Sequence, residues 1–372
     1  MKPGERLLIC GASVRAAAAS AWRAGLQPFA IDLFGDSDLV ARCPALPIPA
    51  ARYPRGFIEL AQQAPPGPWM YTGGLENHPE VVSTISQARP LWGNDAEVLR
   101  AVRDPFQLSL KLGEAGLRFP SLMPAGSTVQ TDGSWLVKPL ASSGGSGIAI
   151  WHGQPFVASR HYFARYVSGE PHAALFVGNR QVAQLLGVTR QLVGEPWLHA
   201  RPFVYCGSVG PVTPSDRVLD QLALLGQVLG QSFRLRGLFG VDFVLNEDEV
   251  WVVEVNPRYT ASVEVLEMGL GQALLSLVSQ HFGGMQIPES RPSERFEGKF
   301  VAKGVYFAIQ DAVFDLDPAG LASAYADIPR TGTRLQSGQP VLTRFVRGDS
   351  VEECLDRLRA AAAWLDRRLK NQ

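Results

Sequence analysis

The chain carries no excess charge of either sign. Its 372 residues hold 35 Lys plus Arg against 35 Asp plus Glu, which removes the electrostatic case for DNA, RNA or an anionic membrane as main partner. Cysteine is scarce: Cys10, Cys43, Cys206 and Cys354 stand far apart with no CxxC pair. That spacing excludes a disulfide framework and a zinc site and fits a reduced cytosol. No stretch reaches the ~18 apolar residues of a membrane span. The signal-like start around Leu7–Cys10 is broken by Gly11 and Arg15, so a strand followed by a helix explains it better and a cytoplasmic protein is expected. Charged residues are only 19% against 46% hydrophobic, too apolar for a disordered chain. At ~150 residues per domain the length predicts two to three domains. A multi-domain enzyme acting on small molecules is the simplest expectation.

Residues 6–10 read as a buried strand, Arg15–Ala24 as a helix closed by Gly25, and Pro28–Asp32 as a second strand. Strand, helix and strand in about 30 residues is a βαβ unit, which calls for a parallel sheet. Trp69–Thr72 reads as a further strand and Pro79–Ala88 as a helix, so residues 1–100 are expected to form an open α/β domain. Asp32 ends the second strand, where a dinucleotide site would place its ribose ligand. The turn Gly11-Ala12-Ser13-Val14-Arg15-Ala16 lacks the GxGxxG spacing, however, and argues against that site. Further along, helices are predicted at Phe106–Ala115, Leu219–Ser232, Gly269–Phe282 and Val351–Leu369. Strands are predicted at Trp135–Val137, Ile148–Trp151, Tyr162–Val167, Ala173–Val177, Gln181–Leu186, Val301–Ile309 and Pro340–Arg347. A hairpin is predicted over Gly240–Val255 and a linker over 284–298.

Three segments carry chemistry. Only six of the 35 basic residues are lysines, and Lys138 ends an apolar strand just before Pro139 and the small-residue loop Ser142-Ser143-Gly144-Gly145-Ser146-Gly147. Such a loop lets backbone amides approach an anion while the lysine supplies a point charge, which suits a phosphate; a plain strand connector has the same composition. In the hairpin, strand alternation puts Glu254 and Asn256 on one face. A three-residue turn at Glu247, Asp248 and Glu249 would set Asp242 opposite Glu254, with Val241, Phe243, Val253 and Val255 on the other face. Two carboxylates and an amide oxygen suit Mg²⁺, which needs few protein ligands when nucleotide phosphates supply the rest. Between these two, the Tyr162–Val167 strand leaves through Ser168-Gly169, where its backbone is free to meet an adenine edge.

Lysine strand, glycine-rich loop, hinge strand and a D…E-x-N-P-R hairpin, in that order behind an α/β domain, resemble the ATP-grasp superfamily from Leu7 to at least Glu267. The resemblance implies an α/β fold with α+β lobes: a pre-ATP-grasp domain with an open parallel sheet at 1–100, a small lobe with the phosphate loop at 101–163, a large lobe with the metal hairpin at 164–298, and a small C-terminal α/β segment at 299–372. It implies ATP bound by Arg103, Lys138, Ser143, Gly144, Gly145, Tyr166, Val167 and Glu170. Mg²⁺, or Mn²⁺ in its place, would sit on Asp242, Glu254 and Asn256, with Lys138 and Arg258 catalytic. Arg165 departs from the Glu or Gln that many members carry at the hinge.

The family's usual reaction turns a carboxylate into an acylphosphate, from which an amine displaces phosphate. Acceptor-site candidates are Ser13, Arg15, Gly73, Glu76 and Asn77 from the leading domain and Tyr259 and Ser262 beyond the hairpin. The Gly-Ala-Ser-x-Arg, Gly-Gly-Leu-Glu-Asn and Gly332…Gly338 motifs resemble small carboxylate–amine ligases, the neighbourhood of tyramine–glutamate ligases in methanofuran-type cofactor biosynthesis. The expected partners are therefore a small-molecule carboxylate and an amine, with neither nucleic acid nor membrane, and a homodimer stays open. A phosphotransferase and a non-catalytic nucleotide-binding protein are the alternatives on the same fold.

Overall fold

The computed structural model describes residues 4–282 and 298–369. Its helices are α1 (Arg15–Arg23), α2 (Ser37–Val40), α3 (Gly56–Gln63), α4 (Pro79–Ala88), α5 (Ala96–Val102), α6 (Pro105–Glu114), α7 (Asp216–Phe233), α8 (Ser262–Leu270), α9 (Leu274–Phe282), α10 (Pro318–Leu321) and α11 (Val351–Leu369). The leading residues build a four-stranded parallel sheet from β1 (Arg6–Gly11), β2 (Gln27–Asp32), β3 (Ala45–Pro47) and β4 (Trp69–Tyr71), in the order β3-β2-β1-β4. Its strands are continuous apolar runs because both faces are covered. Asp32, which stands where a dinucleotide site would place its ribose ligand, is spent locally: its buried carboxylate accepts the amides of Val14, Phe34 and Gly35 at 2.8, 2.8 and 2.6 Å.

A small antiparallel sheet follows: β5 (Leu122–Pro124), β6 (Trp135–Pro139), β7 (Ala149–Ile150) and β8 (His161–Arg165), ordered β5-β8-β6-β7. The large sheet has eight antiparallel strands. Five come from the central chain: β9 (Glu170–Asn179), β10 (Ala183–Val193), β11 (Tyr205–Val212), β12 (Arg236–Asn246) and β13 (Glu249–Asn256). Of the tail strands β14 (Phe300–Phe307), β15 (Ala312–Val313), β16 (Tyr325–Ala326), β17 (Arg334–Leu335) and β18 (Pro340–Gly348), three continue that sheet past β11 in the order β14-β18-β16. β15 and β17 pair apart.

One predicted helix differs. The helix expected over Gly269–Phe282 is broken: α8 closes at Gly271 (φ +66°), a left-handed position that ends an α-helix, and α9 leaves at 101° to it. Strand β11 was not anticipated, because Gly207, Gly210 and Pro211 punctuate its apolar residues. The linker expected at 284–298 lies, but for its last residue, outside the described residues. Among the described residues no single helix is long and apolar enough to cross a membrane.

Packing fixes how the parts meet. One core cluster joins Val14, Ala17 and Ala21 around α1 to Leu175, Leu238, Val263 and Leu266 of the large sheet and α8. Burying that many side chains at about 25 cal/mol per Å² of apolar surface is ample to hold the leading domain against the sheet. Helix α7, capped by Ser215 at the Val218 amide (3.4 Å), covers the opposite face with Leu222, Leu225 and Leu229.

Candidate active site

The hairpin β12–β13 sets the chemistry. Its turn uses two residues, Glu247 and Asp248, with Asn246 paired to Glu249, rather than the expected three. That would slip the register by one, but a β-bulge between Phe243 and Asp242 restores it: Phe243 pairs with Val252, and Asp242 with Glu254. Two carboxylates therefore do stand opposite one another. The bulge takes Val253 out of the apolar alternation. Its side chain lines the cleft instead of the core, and its carbonyl accepts the Lys138 ammonium at 3.3 Å.

Hydrogen bonds join the hairpin's polar groups into a chain. Asn256 Nδ2 donates to Asp242 Oδ2 at 2.9 Å, and Gln191 Nε2 from β10 donates to Asp242 Oδ1 at 2.8 Å. Arg258 donates to Asn256 Oδ1 at 3.0 Å and, through Nε and a terminal nitrogen, to Glu76 Oε1 at 2.9 and 2.8 Å. Arg103 bridges Glu254 (2.9 Å), Asn77 (2.8 Å) and the Ser142 carbonyl (3.0 Å). Burial, with the Glu254 charge beside it, pushes the Asp242 carboxyl up to about 7. Burial also acts to raise Glu76, but the charge and hydrogen bonds of Arg258 outweigh it and hold that carboxyl below its usual range. Arg258 is raised in turn by Glu76, against the opposing effect of burial.

The glycine-rich loop lies against the large sheet. The amide of Tyr205 donates to the Gly144 carbonyl at 3.0 Å, and Ser143 Oγ donates to Glu76 Oε1 at 3.0 Å. Gly145 has φ +78°, and a Cβ there would fall 1.8 Å from the Phe203 carbonyl oxygen. No other residue fits at that position.

Lys138, Gly144, Gly145, Asp242, Glu254, Asn256 and Arg258 line one cleft of about 530 Å³, along with Tyr166, Val167 and Ser262. The Tyr166 amide is already given to the Ser134 carbonyl at 2.9 Å. Arg165 lines the same cleft with its guanidinium over the Trp135 ring. Glu170 is turned outward, 3.7 Å from Arg190. The acceptor-side candidates divide. Gly73 abuts the Arg258 guanidinium, and Glu76 and Asn77 hold Arg258 and Arg103 from behind. Ser13 gives its carbonyl to Thr72 (2.8 Å), and Tyr259 is core, its hydroxyl 3.3 Å from the Ala16 carbonyl. The structure does not bring Arg15 to this cleft: it is buried between Glu264 and Asp327. Gln191, on a strand with no motif around it, is a polar cleft residue that sequence reasoning missed.

Among the described residues no three His, Cys, Asp or Glu side chains gather as metal ligands. Asp242, Glu254 and Asn256 make a hard-oxygen set that only phosphate oxygens or water could complete, which is the way Mg²⁺ is commonly held. A cation held by this set would offset the burial and the neighbouring Glu254 charge that raise the Asp242 carboxyl, so the donor set fits the ion.

Comparison with known proteins agrees with this geometry. A family model described as an ATP-grasp domain matches residues 102–262. The uncharacterized protein MJ0776 of Methanocaldococcus jannaschii is 21% identical over 269 residues, 68% of this chain and 62% of its own length. The chain thus spans less than two thirds of that relative, and under a quarter of the carbamoyl phosphate synthase large chains that also match. The biotin carboxylase domain of the Hydrogenobacter thermophilus 2-oxoglutarate carboxylase, solved with MgADP, ADP and bicarbonate, superposes with a TM-score of 0.73 at 14% identity, covering 97% of this chain and 90% of that one. The L-amino acid ligase of Bacillus licheniformis superposes with a TM-score of 0.69 at 14% identity, covering 98% of both. With the lysine strand, glycine loop and D…E-x-N-P-R hairpin converging on one cleft inside the matched segment, residues 102–262 form an ATP-grasp domain.

Proposed function

We propose that the protein is an ATP- and Mg²⁺-dependent ligase that activates a small-molecule carboxylate as its acylphosphate and joins it to an amine. The observation that carries this reading is the convergence of Lys138, the Gly144-Gly145 loop, Asp242, Glu254, Asn256 and Arg258 on one cleft. Lys138 and Arg258 bring positive charge to where phosphoryl oxygens develop negative charge, and the hairpin holds them in fixed geometry, the main source of rate in phosphoryl transfer. Asp242, Glu254 and Asn256 would hold Mg²⁺, which supplies charge neutralisation across the phosphates when bound. The loop clasped to Phe203 and Tyr205 shields the cleft from water, which protects an acylphosphate from hydrolysis. With the Tyr166 amide taken, the Val167 amide is the one available to an adenine edge.

The reading includes a cytoplasmic protein divided near residues 100, 163 and 298. Glutamate with tyramine is the first substrate pair to try, extending the motif resemblance at Gly73–Asn77. ADP and phosphate release with Mg-ATP against panels of carboxylates and amines tests the whole proposal. Release that needs both a carboxylate and an amine is expected. Release with an alcohol alone would make the protein a phosphotransferase, and ATP binding without release under any combination would leave a non-catalytic nucleotide-binding protein.

A further inference from the structure

On the far side of α8 from the cleft, a second and larger cavity of about 1150 Å³ opens between α1 and α2 on one wall and β18 and α11 on the other. Its acids, Asp38 and Glu264, are already engaged: both face Arg15, and Glu264 also faces Lys303. Of its basic side chains, Arg23 is paired with Glu267 and Arg357 with Glu353. Arg42, Arg344 and Arg347 line the cavity with no acidic partner among the described residues. The Arg344 Nε–H is buried and has no acceptor, a state that costs free energy. Aromatic rings stand beside the free guanidiniums: Arg42 lies 5.9 Å from the Trp22 ring, Arg344 lies 4.8 Å from the Tyr325 ring, and Tyr325 meets Trp364 at 6.2 Å.

We propose that this cavity is a binding site for an aryl anion, a carboxylate or phosphate carried on an aromatic ring, distinct from the nucleotide cleft. Guanidiniums without partners pair bidentately with either anion, and the Trp22, Tyr325 and Trp364 faces take the ring. A second copy of this chain is the poorer occupant, since two-fold contact through this face would bring its uncompensated arginines against one another. The site rests on its own walls and is independent of the ligase reading. It can still report to the cleft, because α8 contributes Ser262 to one and Glu264 to the other.

Calorimetric titration of the full chain at ~0.15 M salt, where exposed charges are largely screened, tests the proposal. The probes are phenyl phosphate and 4-hydroxyphenylacetate, with inorganic phosphate and benzyl alcohol as the anion without a ring and the ring without an anion. Saturable binding is expected for the two aryl anions, at least tenfold tighter than for either control. Arg42→Ser and Arg344→Gln should each weaken it tenfold or more, while Lys138→Ala leaves it unchanged. If Arg344→Gln fails to fold, the exposed Arg42→Ser decides alone. Absent saturation, or binding untouched by both arginine variants, overturns the site. Loss of binding in Lys138→Ala would send the anion to the nucleotide cleft instead. A wild-type dimer by sedimentation that Arg42→Glu dissociates would show that a second copy covers the cavity, and would equally overturn it.

Discussion

Arg258 does two jobs that a single substitution cannot separate. It neutralises Glu76, whose side chain is fully buried, and it points charge into the cleft. Removing it strands a buried carboxylate, which costs about 3–5 kcal/mol. Arg258→Ala is therefore expected to lower both thermal stability and turnover, the latter by roughly 10²–10³, as for loss of one oxyanion-stabilising group. The double variant Glu76→Gln/Arg258→Ala should recover most of the melting temperature and none of the turnover. If the second substitution restored activity together with stability, Arg258 would be only structural. Gly145 gives a cleaner test, because the clash with the Phe203 carbonyl falls on the loop alone. Gly145→Ala should push the loop off the sheet and raise the KM for ATP tenfold or more. Its melting temperature, followed by scanning calorimetry, should stay within a few degrees of wild type.

The hairpin shows how much was legible one element at a time. Alternation placed Glu254 and Asn256 on one face, and the pairing of Asp242 with Glu254 was anticipated. It arises by a route that the sequence conceals: a shorter turn, compensated by a bulge. Turn length and bulges are set by backbone twist, which leaves no mark in hydrophobic period. Helix α4 was legible to the residue because Pro79 opens it. Strand β11 was not, since glycine and proline read as breakers even where flanking strands supply the hydrogen bonds. Gln191 escaped for a related reason, because a lone amide on a strand becomes functional only when the sheet sets it beside Asp242. The bulge carries a prediction of its own. Deleting Val253 keeps Asp242 opposite Glu254 but takes away the carbonyl that holds Lys138. The expected result is a folded protein whose ATP affinity falls about tenfold, the worth of one hydrogen bond to a charged group; unchanged affinity by calorimetry would mean that the tether is idle.

At the scale of the whole molecule, a buried ionic cluster ties the leading domain to the tail and to α8. Arg15 holds Glu264 and Asp327, Lys303 lies 3.6 Å from Glu264, and the backbone at Asp327 and Ile328 donates to Asp38 at 3.1 and 3.0 Å. The acceptor role expected of Arg15 was a reading of β1 and its loop alone, and no local signal announced a partner some 300 residues away. The cluster carries more acid than base, and Asp36 shows the consequence. Burial comes first, followed by the charges of Asp327, Asp32 and Asp38 against the opposing Arg15, and together they push its carboxyl up to about 8. A carboxyl ordinarily titrates near 3.9 when unfolded, so the folded state binds the proton more tightly. The stability this contributes is complete below about pH 4 and is lost as pH rises through 8. Asn at this position cannot ionise and escapes that loss. The melting temperature of Asp36→Asn relative to wild type should therefore climb steadily between pH 5 and pH 8 and level off above. A difference that stayed flat over that range would show that Asp36 is solvated, and that the junction between the leading domain and the tail opens more readily than its ion pairs imply.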